Sequence, residues 1–333
     1  MRIAASDALL VLEGAVRTSK VGTGVRPYRT LSVPYGGDAP GVRLRIRTDS
    51  SRVSFDVEHL AKKPGLSRQG VWTVREDGCP PTLVDGPVGG RIRIEAPPGR
   101  GLRDLELFTP YGDEVVLHGV DLDDDADVRR PCAPDGRVEW LALGDSITQG
   151  FSASGSHAGW VERTRAALGW RALNGGIGSH FARPMDAGLA DGHAPDVITV
   201  AFGINDCLLQ RGAEQFGSDV AGLLQGLRFR AAFATLVVVT PTPHEAALWP
   251  RLHDLEKYRD AARAAGNEGG ALVLEGADLL PAANLSQLTT EDRLHPSDDG
   301  FAHMANVAAP MLEAAARVGI RARSGVTDTG PSR

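Results

Sequence analysis

The sequence predicts a two-part chain in which an antiparallel, jelly-roll-like β-sandwich precedes an α/β domain with a doubly wound parallel sheet. Apolar and polar residues alternate up to about residue 122, and short apolar runs alternate with helical stretches after residue 136. At 333 residues the chain also exceeds the length at which one hydrophobic core usually stops growing. We therefore predict a sandwich over 1–122, a linker over 123–136, an α/β domain over 137–320 and a flexible tail over 321–333.

The sandwich is predicted from short strands with frequent turns. Three segments alternate apolar and polar residues, as strands with one buried face do, namely 42–46, 53–57 and 91–94. Three further segments also have strand character, namely 71–74, 105–108 and 115–122. Proline and glycine clusters separate them, and no segment has convincing helical periodicity. This pattern is typical of an antiparallel sandwich.

Strands and helices alternate in the second domain. Five short apolar runs have the pattern of parallel strands covered on both faces, namely 138–143, 171–174, 197–202, 236–240 and 271–274. Helical stretches lie between them at 160–168, 216–227 and 252–265. The alternation predicts a doubly wound parallel sheet, in which ligands bind at the carboxyl ends of the strands.

A final helix is predicted after Ser297, whose hydroxyl can cap it, with Asp298 and Asp299 favourable in its first turn. Its buried face is predicted to consist of five apolar residues, namely Phe301, Met304, Ala305, Ala308 and Leu312. Pro310 is expected to kink or interrupt this helix, because proline lacks the amide hydrogen that a helix interior requires.

Composition and charge argue against several classes of protein. The net charge of -6 is spread along the chain without a basic stripe, which argues against a nucleic-acid partner. No run approaches the ~18 consecutive apolar residues that a membrane span needs. Three cysteines without CxxC spacing fit neither a disulfide framework nor a zinc site, so a reducing compartment is the simpler interpretation. Because its start is a poor signal peptide, the chain is predicted to be soluble and cytoplasmic.

Polar residues that suit acyl chemistry follow three of the predicted strands. Ser146 stands directly after the first strand, a glycine-rich turn at 174–179 follows the second, and Asn205 follows the third. Because parallel strands end at the same edge of a sheet, we expect these segments to lie close together. A serine hydroxyl is a weak nucleophile alone, so the site also requires a histidine base, an orienting carboxylate and oxyanion donors.

Asp292 and His295 can supply the base and the carboxylate. The two residues lie three positions apart, just before the final helix. In a turn, Asp292 can accept a hydrogen bond from one ring nitrogen of His295 while the other nitrogen faces Ser146. The sequence therefore predicts a catalytic set of Ser146, Asp292 and His295.

These segments together resemble the SGNH/GDSL hydrolase superfamily, named for a serine, glycine, asparagine and histidine in four sequence blocks. The resemblance covers residues 137 to about 316, with the first block at 144–146, the asparagine block at 203–206 and the last block at 292–295. It implies a flavodoxin-like α/β fold and ester hydrolysis through an acyl-enzyme on Ser146, with His295 as the base. It implies neither a cofactor nor a metal.

The second block departs from the family pattern. In the family, a glycine five residues after the asparagine contributes to the oxyanion hole, and counting from Asn174 places Ser179 there with Gly178 one residue early. Either residue can donate its backbone N–H, so both remain candidates. The resemblance implies that the backbone N–H of Ser146 and the side chain of Asn205 complete the oxyanion hole.

A sandwich ahead of such a domain is similar to the arrangement in carbohydrate esterase family two, whose members remove acetyl groups from sugars. This likeness is architectural and rests on no matched motif. It favours a small-molecule ester, and specifically an acylated sugar, as the substrate.

Two further residues are candidate substrate contacts. Trp249 lies in a proline-containing loop after the fourth strand and is predicted to flank an acyl or sugar pocket. His180 follows the oxyanion turn, and both substrate contact and plain surface exposure are open for it. Asp145 and Cys207 are interpreted as structural, the first holding the turn before Ser146 and the second packing in the core.

The main hypothesis is a serine esterase that removes a small acyl group, most of all acetyl, from a carbohydrate or glycosylated metabolite. An esterase, thioesterase or lipase for longer acyl chains is the alternative within the class, and acyl transfer to an alcohol uses the same acyl-enzyme. A carbohydrate-binding protein without catalysis is the alternative from another class, and the complete catalytic set argues against it. The oligomeric state does not follow from the sequence.

Overall fold

Short antiparallel strands make up the first part of the chain, as its alternating pattern predicts. The structure is a computed structural model that describes residues 1–30, 32–33, 36–61, 70–86, 89–131 and 138–324. Within these ranges the strands of the first part are β1 (Arg2–Ala4), β2 (Val11–Glu13), β3 (Arg17–Val21), β4 (Gly24–Tyr28), β5 (Arg43–Thr48), β6 (Val53–Ala61), β7 (Val71–Glu76), β8 (Thr82–Asp85), β9 (Gly90–Glu95), β10 (Arg103–Phe108), β11 (Glu114–Leu122) and β12 (Val128–Arg129).

These strands form two antiparallel sheets that share one apolar core. One sheet has the order β3-β4-β11-β6-β9 with β1 also on β11, and the other has the order β12-β5-β10-β7-β8 with β2 also on β5. Phe55 and Leu117 of the first sheet lie in the same buried cluster as Leu44 and Leu107 of the second. The sequence prediction of antiparallel sheets in this part is confirmed.

A five-stranded parallel sheet forms the second part. Its strands are β13 (Glu139–Gly144), β14 (Arg171–Gly176), β15 (Val197–Ala201), β16 (Thr235–Val239) and β17 (Leu272–Leu274). Their order is β14-β13-β15-β16-β17, so the direction of winding reverses at β13. Because crossovers between parallel strands are right-handed, the helix after β13 covers one face and the helices after β15 and β16 cover the other. The predicted doubly wound sheet is confirmed.

The helices around this sheet pack in two groups. They are α1 (Ser146–Gln149), α2 (Trp160–Leu168), α3 (Ile204–Leu208), α4 (Ala213–Arg230), α5 (Leu255–Glu268), α6 (Gly276–Leu279), α7 (Leu285–Leu288) and α8 (Asp298–Ser324). Shorter 3-10 segments lie at Ser156–Ala158, Pro184–Ala190, Pro250–Leu252 and Ala282–Asn284. α2 packs against α8 and α4 packs against α5, as two helical layers on a doubly wound sheet require.

The last helix confirms one prediction and corrects another. The Ser297 hydroxyl accepts a backbone N–H of the first turn at 3.2 Å, as expected for a helix cap. The predicted interruption at Pro310 was wrong, because α8 continues through it to Ser324, and a kink there stays a prediction. Leu312, beyond the proline, is fully buried, so packing against the core outweighs the hydrogen bond that the proline removes.

The predicted linker and tail partly belong to regular elements. β12, at Val128–Arg129, pairs with β5, so this part of the segment 123–136 is a strand of the sandwich. Residues 132–136 of that segment lie outside the described residues. Of the predicted tail 321–333, the first four residues are in α8 and the remainder lies outside the described residues.

A buried cluster of charges joins the sandwich to the parallel-sheet part. Arg43 of β5 is 1% exposed, donates to Glu162 of α2 at 3.1 Å and also pairs with Glu13 of β2. Glu106 of β10 lies 3.4 Å from a third nitrogen of the same guanidinium. Burial raises the pKa of Glu13 and of Glu106, but the arginine charges outweigh burial and hold both pKa values below the ordinary value. Arg43 thus contacts carboxylates from both parts of the chain, and these carboxylates also pair with other arginines, namely Arg45, Arg75 and Arg165.

Hydrogen bonds from side chains to backbone add to the same interface. Arg17 Nη2 of β3 donates to the carbonyl of Gly188 at 2.8 Å. The Ser156 hydroxyl donates to the carbonyl of Thr109, in the sandwich, at 2.6 Å. The two parts of the chain therefore share a specific polar interface.

Replacing Arg43 with methionine tests the importance of this charged cluster. Arg43→Met keeps most of the side-chain volume but removes the cation that the three carboxylates share, and leaves them paired with Arg45, Arg75 and Arg165. We expect the free energy of unfolding to fall by no more than about 3–5 kcal/mol, the cost of leaving a buried charge without any partner, because the remaining arginines still pair with the carboxylates. The measurement is the midpoint of chemical unfolding. Arg52→Met is the control, because Arg52 is 85% exposed in its pair with Asp123 and should leave the midpoint unchanged. An unchanged midpoint for Arg43→Met would contradict the assignment.

Candidate active site

The carboxyl ends of three neighbouring strands meet at one edge of the parallel sheet. The register pairs the last residue of β13 with the last residues of both β14 and β15. The segments that follow these strands carry Ser146, the turn at 177–179 and Asn205. The fold thus brings together the three segments that the sequence predicts to act at one site.

Ser146 is the first residue of α1 and is presented by a tight turn. The Asp145 carboxylate caps the helix by accepting the Ile147 N–H at 3.0 Å, and burial raises the pKa of Asp145 to about 6. Gly144 has no room for a side chain, because a Cβ there would lie 2.1 Å from the Thr148 hydroxyl. Asp145 therefore holds the turn before the serine, as its structural interpretation predicts.

His295 and Asp292 complete a line of hydrogen bonds to Ser146. Ser146 Oγ lies 2.9 Å from His295 Nε2, and His295 Nδ1 lies 2.6 Å from Asp292 Oδ2. A carboxylate can only accept, so His295 Nδ1 carries the hydrogen and Nε2 accepts from the serine hydroxyl. The imidazole is 15% exposed, so the line is accessible from solvent.

The Asp292 carboxylate is held on both oxygens. Oδ1 accepts the backbone N–H groups of Leu294 and His295 and the hydroxyl of Thr290, each at 2.9 Å. Burial raises the pKa of Asp292, but its hydrogen bond with the His295 ring, the charge of that ring and the backbone N–H groups together hold it well below the ordinary value. Asp292 is therefore ionised at neutral and mildly acidic pH.

Two aromatic residues lie against this hydrogen-bonded line. The Phe151 ring is tilted against the His295 imidazole, with 4.5 Å between the ring centroids. Trp249 is half-buried, and its indole Nε1 donates to the backbone carbonyl of Asp292 at 2.7 Å. The structure therefore places Trp249, a predicted substrate contact, directly beside the loop that carries the carboxylate.

The turn after β14 packs directly on α1. Asn174 Nδ2 donates to the carbonyl of Thr148, and Asn174 Oδ1 accepts the N–H of Gly176, each at 2.9 Å. Farther along the turn, Gly178 is half-buried and Ser179 is exposed, with a φ of 58° at Ser179. Asn174 thus ties the start of this turn to α1, the helix that begins with Ser146.

Asn205 and His180 contact each other through the backbone of His180, a contact that the sequence did not predict. Asn205 Nδ2 donates one hydrogen to the backbone carbonyl of His180 at 2.9 Å, and the amide has a second hydrogen to donate. The His180 ring is only 6% exposed, and its Nε2 lies 3.0 Å from Asp186 Oδ2. His180 is therefore not a surface residue, and its carbonyl rather than its ring meets a site residue.

Sequence reasoning missed a second buried carboxyl beside the site. Asp206 follows Asn205 and is fully buried, and one of its oxygens accepts from Arg211 at 2.9 Å. Burial, reinforced by the nearby charge of Asp145, raises the pKa of Asp206 to about 7. In the sequence, the feature that pointed to Asp206 was its position as the last residue of the asparagine block at 203–206.

Cys207 packs in the core, as predicted, and is 3% exposed. Burial raises the pKa of its thiol to about 11, which keeps it protonated and unreactive.

Across the described ranges, no group of three or more His, Cys, Asp or Glu side chains is arranged to hold a metal ion. In those same ranges no helix has both the length and the apolar character that a membrane crossing requires.

Comparison with known families decides the class of the second part. Residues 142–303 match the sequence model of the GDSL-like lipase/acylhydrolase family. This region is a GDSL-like acylhydrolase domain. The resemblance seen in the sequence is confirmed, and with it the enzyme class, a hydrolase of ester bonds. No curated protein matches the chain.

Solved structures share the fold over nearly the whole chain, with the sandwich placed ahead of the acylhydrolase domain. The salicylyl-acyltransferase SsfX3 from a tetracycline biosynthetic pathway has a TM-score of 0.83 at 20% identity, covering 96% of this chain and 99% of its own. A family two carbohydrate esterase from Cellvibrio japonicus has a TM-score of 0.72 at 17% identity, covering 95% and 98%. An acetyl xylan esterase from the rumen bacterium Butyrivibrio proteoclasticus has a TM-score of 0.66 at 13% identity, covering 98% and 99%.

Replacing Asp292 with asparagine tests the orientation of the histidine in the acylhydrolase domain. The new side chain would present an amide N–H toward His295 Nδ1 and favour the tautomer whose Nε2 cannot accept a proton. We expect kcat for p-nitrophenyl acetate to fall by about 10³–10⁴-fold in Asp292→Asn. Glu291→Gln removes an exposed charge from the neighbouring position and is expected to retain the parent rate. A loss below about tenfold would show that Asp292 does not orient the base.

Proposed function

We propose that the chain is a serine esterase that hydrolyses a small acyl ester, most of all an acetyl ester, of a carbohydrate or glycosylated metabolite. The observation that carries the proposal is the hydrogen-bonded line from Ser146 Oγ through His295 to Asp292. It lies at the sheet edge where doubly wound folds bind ligands. The acyl-enzyme forms on Ser146.

In the first step His295 acts as a general base. Nε2 takes the proton of the Ser146 hydroxyl as Oγ attacks the carbonyl carbon of the ester, and the carbonyl π electrons move onto oxygen. The ionised Asp292 stabilises the imidazolium that forms. Collapse of the tetrahedral intermediate expels the alcohol, which takes the proton from Nε2, and leaves the acyl group on Ser146.

The negative oxygen of the intermediate is stabilised by three donors. They are the backbone N–H of Ser146, a backbone N–H of the turn at Gly178 or Ser179, and the second amide hydrogen of Asn205. Each such donor typically lowers the barrier by ~3 kcal/mol. In the second half of the reaction His295 removes a proton from water, the hydroxide attacks the acyl carbon, and the acid leaves with Ser146 reprotonated.

The substrate class is supported by the architecture. Carbohydrate esterases of family two and an acetyl xylan esterase share both the sandwich and the acylhydrolase domain with this chain. Trp249, fixed beside the Asp292 loop, offers a flat apolar face of the kind that packs against a sugar ring or an acyl group. We propose Trp249 as a substrate contact and assign His180 the task of holding Asn205 through its carbonyl.

Acyl transfer to an alcohol is the second candidate. It is favoured by the likeness to the salicylyl-acyltransferase SsfX3, which has a TM-score of 0.83 over 96% of this chain. The chemistry of the first half-reaction is the same, since a serine esterase and a serine acyltransferase both form an acyl-enzyme. They differ only in whether water or an acceptor hydroxyl attacks it.

Removing the Ser146 hydroxyl tests the proposed nucleophile. In Ser146→Ala, hydrolysis of p-nitrophenyl acetate is expected to fall to the background rate, and a fluorophosphonate should add no mass to the protein. The parent should gain one adduct, and His295→Ala should label much more slowly because the base is gone. Ser154→Ala is the matched control, because Ser154 contacts Asp298 through its backbone. Hydrolysis by Ser146→Ala at the parent rate would refute the site.

An ester series separates the candidate substrates and acceptors. We expect kcat/KM to be highest for p-nitrophenyl acetate and to fall towards octanoate, and acetylated sugars to release acetate. A rate that rises towards octanoate would establish the longer-chain alternative. With sugar or glycerol added, products are identified by mass spectrometry. Free acetate as the main product supports the esterase, whereas an acetylated acceptor as the main product identifies an acyltransferase.

A further inference from the structure

Gln149 is the last residue of α1, the helix that Ser146 begins, and its side chain points into the sandwich. Although polar, it is only 3% exposed. Nε2 donates to Asp38 Oδ2 at 2.8 Å and to the backbone carbonyl of Tyr111 at 3.2 Å. Both partners act as acceptors here, so the orientation of the amide is fixed, with the NH2 group towards the sandwich and Oε1 on the opposite side.

The opposite side of the amide faces the oxyanion turn. A Cβ added to Gly178 would lie 2.8 Å from Gln149 Oε1, and a Cβ on Gly176 would lie 2.2 Å from the Gln149 backbone nitrogen. Among the described residues Oε1 has no hydrogen-bond donor, so it meets the turn by contact alone. The turn and the Gln149 side chain therefore fill one tightly packed space, in which only a glycine fits opposite Oε1.

Asp38, which anchors the Gln149 amide on the sandwich side, is itself held in place. Asp38 is fully buried and forms an ion pair with Arg29, which is 1% exposed. A hydrogen bond to a buried carboxylate is stronger than one between neutral groups, and the low local dielectric strengthens it further. The far end of the Gln149 side chain is consequently unable to swing away from the turn.

We propose that Gln149 is a positioning residue through which the sandwich fixes the oxyanion turn of the acylhydrolase domain. Asp38 and the Tyr111 carbonyl hold the amide, and Oε1 sets the position of Gly178. The inference rests on the proposed function, because it requires the turn at Gly178 and Ser179 to donate to the oxyanion. It makes the sandwich part of the catalytic unit, in addition to any contact that it makes with substrate.

The test is a double-mutant cycle between Gln149 and Gly178. Gly178→Ala is expected to lower kcat for p-nitrophenyl acetate by about tenfold or more with KM nearly unchanged, because the methyl group meets the anchored Oε1 and displaces the turn. In a Gln149→Ala background the same substitution should cost less than about threefold. Rates are expressed per molecule that a fluorophosphonate labels at saturation, so unfolded protein does not contribute.

Arg17→Ala is the matched control. It removes another hydrogen bond between the two parts of the chain, to the carbonyl of Gly188, without touching α1. In the double variant with Gly178→Ala, the fold-changes in kcat of the two single substitutions should multiply, because the two sites do not interact. If the effects of Gln149→Ala and Gly178→Ala on kcat also multiply, the inference is overturned. This outcome is distinct from failure of the proposed function, which stands as long as Ser146→Ala is inactive. Parent-like activity of Ser146→Ala would refute the proposed function instead.

A second variant keeps the inference testable if Gln149→Ala does not fold. Asp38→Asn has the same shape but replaces the charged acceptor by a neutral amide and so loosens the anchor. It is expected to lower kcat by about tenfold while KM changes by less than about twofold. A parent-like kcat in a folded Asp38→Asn protein would overturn the inference.

Discussion

The site depends on how closely α1 packs against the ends of the parallel strands. Gly144 and Gly176 allow this approach, because a side chain at either position would collide with the first turns of the helix. Asn174 then fastens the strand end to the helix through the carbonyl of Thr148. The result is that Ser146, the proposed nucleophile, and the turn proposed to stabilise the oxyanion are parts of one packed unit, and their separation does not depend on mobile side chains.

Buried charge is concentrated where the elements of the site meet. Asp145 lies under the nucleophile turn and Asp206 beneath Asn205, and burial raises the pKa of both carboxyls. On the sandwich side, Arg29 and Asp38 form a buried pair next to α1. Buried ion pairs seldom add net stability compared with apolar packing, but breaking one is costly.

The sandwich and the acylhydrolase domain share more than a covalent connection. Arg43 pairs with carboxylates from both, and hydrogen bonds from Arg17 and Ser156 cross between them. Solved structures of a salicylyl-acyltransferase and a family two carbohydrate esterase contain both the sandwich and the acylhydrolase domain, and each covers more than 90% of this chain. An interface with this amount of buried charge is expected to resist relative motion of the two parts.

The sequence by itself predicted the two architectures and the proposed catalytic set, because strand and helix periodicity and the short blocks around Ser146, Asn205 and His295 are local patterns. Only the tertiary structure decided the contacts between residues far apart in the chain. It turned the His180 ring towards Asp186, placed β12 in the sandwich and carried α8 through Pro310. It also set Gln149 between Asp38 and the oxyanion turn. Such contacts depend on packing across separate elements, for which a local pattern carries no signal.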